Sequence, residues 1–285
     1  MNQAARADNR EFEFTQQDFE FLRKLANQQT GIVLKEDKFN MLYSRLSRRI
    51  RILGLNSFRE YCQYLEKDTG NETDELINSI TTNLTAFFRE KHHFDYLSNT
   101  LVPHLLKRNA VEKKIRVWSA GCSTGEEPYT IAMTLMQSGI PSGWDVRILA
   151  TDIDQNVLAH ASTGVYQEDR IQGLSSTLSK RWFTPGSGAN QGKVRVARQL
   201  RDLISFNQLN LLKDWPFHGP FDAIFCRNVV IYFDGPTKKT LVERYAQYMH
   251  DDSCLFLGHS ESLFRVTTRY KSIGQTIYQK DPDAS

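Results

Sequence analysis

Two spacings of apolar residues divide the chain. Over residues 14–106 they recur at helical intervals: Phe19, Leu22, Leu25 and Ala26, then Leu42, Leu46, Ile50 and Leu53, then Leu76, Ile77 and Ile80. No strand-like alternation interrupts them. Thr15-Gln-Gln-Asp18 predicts a helix start, Ser57-Phe-Arg-Glu60 a capping box, and Gly54 the stop of the helix before it. From Lys113 onward the pattern becomes short apolar runs separated by helices. Strands are predicted at 115–120, 146–151, 204–209, 221–226 and 254–257, with helices at 126–136, 155–162 and 238–249. Such alternation predicts a mostly parallel α/β sheet covered on both faces. A closing pair of strands fits around Lys271-Ser-Ile-Gly274. The Gly-rich stretch from Trp182 to Val196 reads as a hairpin inserted between the second and third strands; a long surface loop is the other reading.

Composition narrows the class only a little. At 285 residues, 40% hydrophobic and 24% charged, the chain suits one large or two modest soluble domains. It has no apolar run long enough for a membrane span and no secretory h-region near its first residues. Cys62, Cys122, Cys226 and Cys254 stand far apart in no metal or CxxC pattern, which predicts reduced thiols in a cytoplasmic protein. A net charge of +3 is too small to imply nucleic-acid binding. His92, His93, His104, His218 and His259 show no ligand spacing beyond one adjacent pair, so no metal is expected.

The chemistry concentrates at predicted strand ends, where open α/β sheets bind ligands. The first strand runs into Gly121-Cys-Ser-Thr-Gly125, then into a helix beginning Glu126-Glu127. Glycines there allow close backbone approach. The dinucleotide pattern GxGxxG is absent, and two carboxylates in the first helical turn would repel a phosphate. They suit a cationic ligand, such as the amino group and sulfonium of S-adenosylmethionine; the plainer reading is that they complement the helix dipole. Asp152 follows the second strand, where it can accept from ribose hydroxyls. Asp154 is better placed to cap the next helix. Asn210-Leu211 follows the third strand, placed for an adenine edge. Arg227-Asn228-Val229 follows the fourth, at the centre of the cleft.

These residues sit in longer stretches that resemble the CheR family of bacterial chemotaxis receptor methyltransferases. The stretches are Thr82-Asn-Leu-Thr-Ala-Phe-Phe-Arg-Glu90, Val117-Trp-Ser-Ala-Gly-Cys-Ser-Thr-Gly-Glu-Glu-Pro-Tyr129, Phe221-Asp-Ala-Ile-Phe-Cys-Arg-Asn-Val-Val-Ile-Tyr-Phe233 and Gly258-His-Ser-Glu-Ser262. The resemblance runs from about Phe14 to Lys280. It implies a helical receptor-recognition domain over 14–106 and a class I (Rossmann-like) methyltransferase domain over 107–285, with a β-subdomain inserted at 165–203. It implies methyl transfer from S-adenosylmethionine to receptor glutamates, giving methyl esters. The implied cofactor contacts are Asn83, Thr85, Arg89, Glu126, Asp152, Asn210, Leu211, Asn228 and Val229. In many relatives the inserted β-subdomain docks a tethering peptide from the receptor C-terminus, and the turn over 186–192 resembles that of peptide-binding members. A monomer that neither enters the membrane nor binds nucleic acid is expected.

A glutamate carboxylate is already ionised at neutral pH, with an ordinary pKa of about 4.3, so it needs no general base. Arg89 and Tyr232 are the candidates for orienting it, through a planar donor fork and a single hydroxyl. Between Phe39 and Arg59 the chain carries five arginines and no acid. At helical spacing Arg45, Arg48 and Arg49 flank the apolar face, a basic stripe suited to docking a Glu-rich receptor helix or simply a solvated face. Two other functions compete. A nucleic-acid amine methyltransferase would favour prolines where this chain has Asn228-Val-Val-Ile231. A non-catalytic receptor adaptor would not require Arg89, Glu126, Asp152, Asn228 and Tyr232, all of which are present.

Overall fold

The computed structural model describes residues 10–68 and 71–283. Contacts divide the chain into two units, residues 1–81 and 82–285. The first holds α1 (Gln16–Thr30), α2 (Phe39–Leu53), α3 (Phe58–Glu66) and α4 (Asn71–Ile80). Their apolar stripes, Phe19, Leu22, Leu42, Leu46, Ile50, Tyr61 and Leu76 among them, close one buried core. Thr15 and Asp18 exchange the two bonds of a full capping box. At Ser57 only half the box forms: its hydroxyl accepts from the Glu60 amide, while the Glu60 carboxylate takes the Asn56 amide instead.

The basic stripe is spent largely inside this unit. Arg45 donates to the Ser79, Ile80 and Thr81 carbonyls, capping the C-terminal end of α4. Arg49 lies against Glu72, at 3.0 and 2.5 Å, and Glu75, at 3.2 Å, while the Tyr61 hydroxyl also donates to Glu72. Arg51 pairs with Glu11. Of the docking trio Arg45, Arg48 and Arg49, two members are engaged at α4, and Arg48 is exposed. Helical spacing gave the face of α2 correctly, but the acids it meets lie on another helix.

The second unit begins with α5 (His92–Tyr96), a π-type stretch over Leu97–Leu101, and α6 (Val102–Arg108). The helical texture does continue to residue 106, but the contacts change sides at residue 82. Phe94, Leu97, Leu101, Val102 and Leu105 pack with Ile115, Val117 and Phe225 in the core of the second unit. Then follow β1 (Lys114–Ala120), α7 (Glu126–Gln137), β2 (Asp145–Asp152), α8 (Gln155–Thr163), β3 (Val165–Gln167), α9 (Ser176–Trp182), β4 (Phe183–Pro185), β5 (Lys193–Val196), α10 (Arg198–Arg201), β6 (Ile204–Gln208), β7 (Phe221–Cys226), α11 (Gly235–Gln247), β8 (Met249–Leu257), β9 (Tyr270–Gly274) and β10 (Ile277–Lys280).

Seven strands form one sheet in the order β6-β2-β1-β7-β8-β10-β9, parallel except where β10 runs antiparallel to β8 and β9. Successive residues of the central strands alternate between two cores. Val117, Ala223, Phe225 and Phe256 face one, and Trp118, Ile224, Cys226 and Leu257 the other. Trp118 packs edge-on against Trp215, Phe217 and Tyr245, and its indole N–H donates to the Thr151 hydroxyl, tying β1 to β2. β3, β5 and β4 form a separate small antiparallel sheet, so the Gly-rich stretch is a hairpin with a third strand added. The four cysteines are buried free thiols. Among the described residues no helix is long and apolar enough to cross a membrane.

Candidate active site

The chain moves outward from β1 to β2 and β6, then returns to the other side of β1 for β7 and β8. That reversal opens a crevice at the carboxyl ends of β1 and β7, the place where such sheets take ligands. The loop after β1 starts there, with the Gly121 and Cys122 amides both bonded to the Thr151 carbonyl. Gly121 has φ +94°, and a Cβ on it would lie 2.4 Å from Val229 Cγ2. A Cβ on Gly125, at φ +98°, would lie 2.8 Å from both the Ala161 Cβ and the Tyr166 hydroxyl. Side chains at either position would collide with these packed atoms, so the loop at this strand end has to be bare backbone.

Asp152 braces this loop. Its carboxylate accepts from the Ser123 amide at 2.8 Å and the Asp154 amide at 3.1 Å. Burial pushes its pKa up, while the backbone amides pull it back. Each oxygen keeps a further lone pair that a hydroxyl could use. Asp154 caps α8 through the Asn156 and Val157 amides and also receives the Asn83 side-chain amide. Leu209 donates its amide to the Asp152 carbonyl, which brings Asn210 and Leu211 beside this acid. Asn210 there closes a turn onto the Leu212 amide, and Leu211 is buried in the Trp118 core.

Glu126 is 1% exposed at the start of α7. Its carboxylate takes the Thr124 hydroxyl and pairs with Arg170, which also donates to the Thr85 carbonyl. Arg170 belongs to the segment after β3, and nothing in the sequence pattern singled it out. The stretch from Asn83 to Glu90 runs along these strand ends: the Asn83 carbonyl accepts from Ser123, and the Arg89 carbonyl from Arg227. The Arg89 guanidinium donates to the Leu84 carbonyl, and among the described residues no carboxylate pairs with it. Asn228 holds a left-handed φ of 59°, Val229 meets Gly121, and Tyr232 ends the short helical turn Val230–Tyr232 half-buried.

Beneath the loops lies a buried charge network. Arg227 donates to Glu127 at 3.0 Å and lies 3.2 Å from Glu90, while Ser119 donates to Glu127 and His259 lies 2.9 Å from Glu90. Burial raises the Glu127 carboxyl against the pull of Arg227. At Glu90 burial acts in the same upward direction but is outweighed by His259 and Arg227, which hold its pKa down to about 2. His93 is lowered to about 4 by burial and by the Arg227 charge. Glu90, His92 and His93 bring ligand-type atoms within 4.8 Å of one another, but Arg227 already supplies the cation at that carboxylate. The crevice instead presents oxygen acceptors and backbone groups beside the glycine loop, which fits a nucleoside ligand; any cationic end would share Glu126 with Arg170.

Comparison with known proteins agrees with this arrangement. The family described as CheR methyltransferase, SAM binding domain, matches residues 83–279, and the CheR all-alpha domain matches residues 17–81. The chain is 46% identical to Chemotaxis protein methyltransferase 2 of Pseudomonas aeruginosa, covering 95% of each chain. It is 43% identical to the chemotaxis protein methyltransferase of Escherichia coli, covering 93% of this chain and 91% of that one. A probable chemotaxis protein methyltransferase of Rhizobium etli is also 43% identical, over 87% of this chain and 94% of its own length. The second unit is thus a class I methyltransferase domain with a small antiparallel sheet inserted, preceded by an all-helical domain. With both domains matched in order over nearly its whole length, the chain belongs to the CheR methyltransferase family.

Proposed function

We propose that this chain transfers a methyl group to glutamate side-chain carboxylates of membrane chemoreceptors, forming methyl esters in chemotactic adaptation. The observation that carries the reading is the tightly packed glycine loop at the β1–β7 switch, beside buried Glu126 and Asp152, in a chain matched by both CheR domains. S-Adenosylmethionine supplies the electrophilic methyl group when bound. Asn83, Thr85, Arg89, Glu126, Asp152, Asn210, Leu211, Asn228 and Val229 are assigned to hold it. Glu126 and Asp152 contribute acceptors for cationic and hydroxyl groups, Asn210 and Leu211 the far wall.

The acceptor is an ionised carboxylate, so the protein's work is alignment and exclusion of water. Arg89, which no carboxylate pairs among the described residues, and Tyr232 are assigned to orient the acceptor. Their grip has to be modest, because the carboxylate charge is partly lost in the transition state and over-stabilising it slows transfer. The reading includes a monomeric cytoplasmic enzyme, with the small sheet and its 186–192 turn taking a receptor C-terminal peptide. Labelled methyl transfer to receptor-containing membranes tests it: the label should be released by mild alkali. Alkali-stable label would exclude a methyl ester.

Receptor docking is assigned to the exposed Arg48, since Arg45 and Arg49 are committed to α4. Arg48→Glu should lower receptor methylation by roughly tenfold at low salt and flatten its salt dependence. An unchanged rate at every ionic strength would remove Arg48 from the docking surface. Arg45→Glu is a poorer test, because it also strips the C-terminal cap of α4.

A further inference from the structure

We propose that Glu261 is a positioning residue that sets the backbone of residues 227–232 and, through it, the groups assigned to methyl transfer there. One carboxylate, 2% exposed, accepts three backbone amides: Gly258 at 2.6 Å, Asn228 at 2.9 Å and Ile231 at 3.1 Å. Among the described residues no cationic side chain forms an ion pair with it. Burying a carboxylate is costly unless hydrogen bonds replace its water, and among the described residues those on Glu261 come from backbone. The three amides come from the loops that follow β7 and β8. Glu261 therefore staples two loops that enter the crevice from neighbouring strands.

The geometry it holds is otherwise unfavourable. Asn228 sits at φ 59°, in the left-handed region that non-glycine residues seldom adopt, asparagine being the more tolerant of them. Gly258 lies so close that a Cβ on it would stand 2.3 Å from Asn228 Nδ2 and 2.9 Å from the Asn228 nitrogen. The next residue, Val229, fills the space beside Gly121. Tyr232 closes the same turn, its amide bonded to the Val229 carbonyl. A displacement at Asn228 is thus passed both to the glycine loop and to the Tyr232 hydroxyl. Only a carboxylate accepts from all three amides. An amide side chain would turn N–H toward N–H at one oxygen position.

This inference rests on the methyl-transfer reading for its kinetic arm only. The test compares the full-length protein with Glu261→Gln, which keeps volume, and Glu261→Asp, which keeps charge but shortens the reach. In Glu261→Gln, hydrogen exchange over residues 227–232 should speed up while that of β1 stays unchanged. The dissociation constant for S-adenosylhomocysteine should rise about tenfold, the equivalent of one buried unsatisfied amide. Turnover per folded molecule should fall on the order of 10²-fold, the scale of a 1 Å misplacement. Glu261→Asp should recover part of both losses. Exchange and affinity within twofold of wild type, or activity lost only in proportion to folded protein with affinity unchanged, would overturn the proposal. Failure of the wild type to make alkali-labile product would defeat the methyl-ester reading while leaving the exchange and affinity arms to decide on Glu261.

Discussion

Arg227→Met is expected to cost about 3–5 kcal/mol of stability, because it strips the cation from two buried carboxylates at once. The Arg227 side chain is 3% exposed, donates to Glu127 at 3.0 Å, lies 3.2 Å from Glu90 and stacks over Phe94. Methionine fills much of the volume, so the loss measures charge rather than cavity. The pH dependence carries a second signature. In the wild type, Glu90 is held at about 2, below its ordinary value, so its contribution is present above the usual carboxylate range and lost as pH falls toward 2. Glu127, raised by burial, contributes in the opposite sense and favours the acid side. Without Arg227 the Glu127 carboxyl should titrate further above its unfolded value, while Glu90 keeps the pull of His259, so the variant should lose stability as pH rises past about 4.3. The deficit against wild type is therefore small near pH 4 and full at pH 7. Chemical denaturation at both pH values measures it, and Arg227→Met with Glu127→Gln should recover part of the loss at pH 7. An equal deficit at pH 4 and pH 7 would show that packing over Phe94, not charge, is what Arg227 supplies.

That network also marks where reading the sequence stops. β1 is legible as a short apolar run, but a strand buried on both faces carries no alternation, so which core Val117 and Trp118 enter appears only in the fold. The glycine loop was equally legible, since glycines between a strand and an acidic helix start are a local signal. Arg227 and Glu127 are 100 positions apart, and no spacing rule joins them. Arg170 reaches Glu126 from a segment that precedes the inserted hairpin, so its partner depends on how that small sheet sits on the larger one. The arginines of α2 show the converse. Periodicity placed Arg45 and Arg49 on the flank of an apolar face, yet their partners are backbone carbonyls and acids on α4. Glu261 lies inside a quoted motif, Gly258-His-Ser-Glu-Ser262, but a carboxylate whose partners are all backbone amides leaves no complementary residue to find. The helical stretch from His92 to Arg108 likewise keeps the spacing of the first unit but packs into the core of the second.

Arg89→Ala should separate chemistry from folding more sharply than any other change in the crevice. The backbone at Arg89 is fixed without its side chain: Arg227 donates to the Arg89 carbonyl, and the next residue, Glu90, is held by His259 and Arg227. The guanidinium makes one bond, 2.9 Å to the Leu84 carbonyl, and is partly exposed. Its removal should therefore shift stability by no more than about 0.5 kcal/mol, as for surface positions without a structural partner. The functional loss is expected to be far larger. A planar fork that no carboxylate pairs among the described residues is suited to align an anionic group, and losing such alignment costs on the order of 10²-fold in turnover. Arg89→Lys keeps the charge but not the fork, so it should fall between the two. Calorimetric binding of S-adenosylhomocysteine then divides the two roles assigned to this residue. If affinity holds while turnover falls, Arg89 orients the acceptor; if both fall together, it holds the cofactor. Turnover equal to wild type in a folded Arg89→Ala protein would remove Arg89 from the site, and leave Tyr232 as the one side chain assigned to the acceptor.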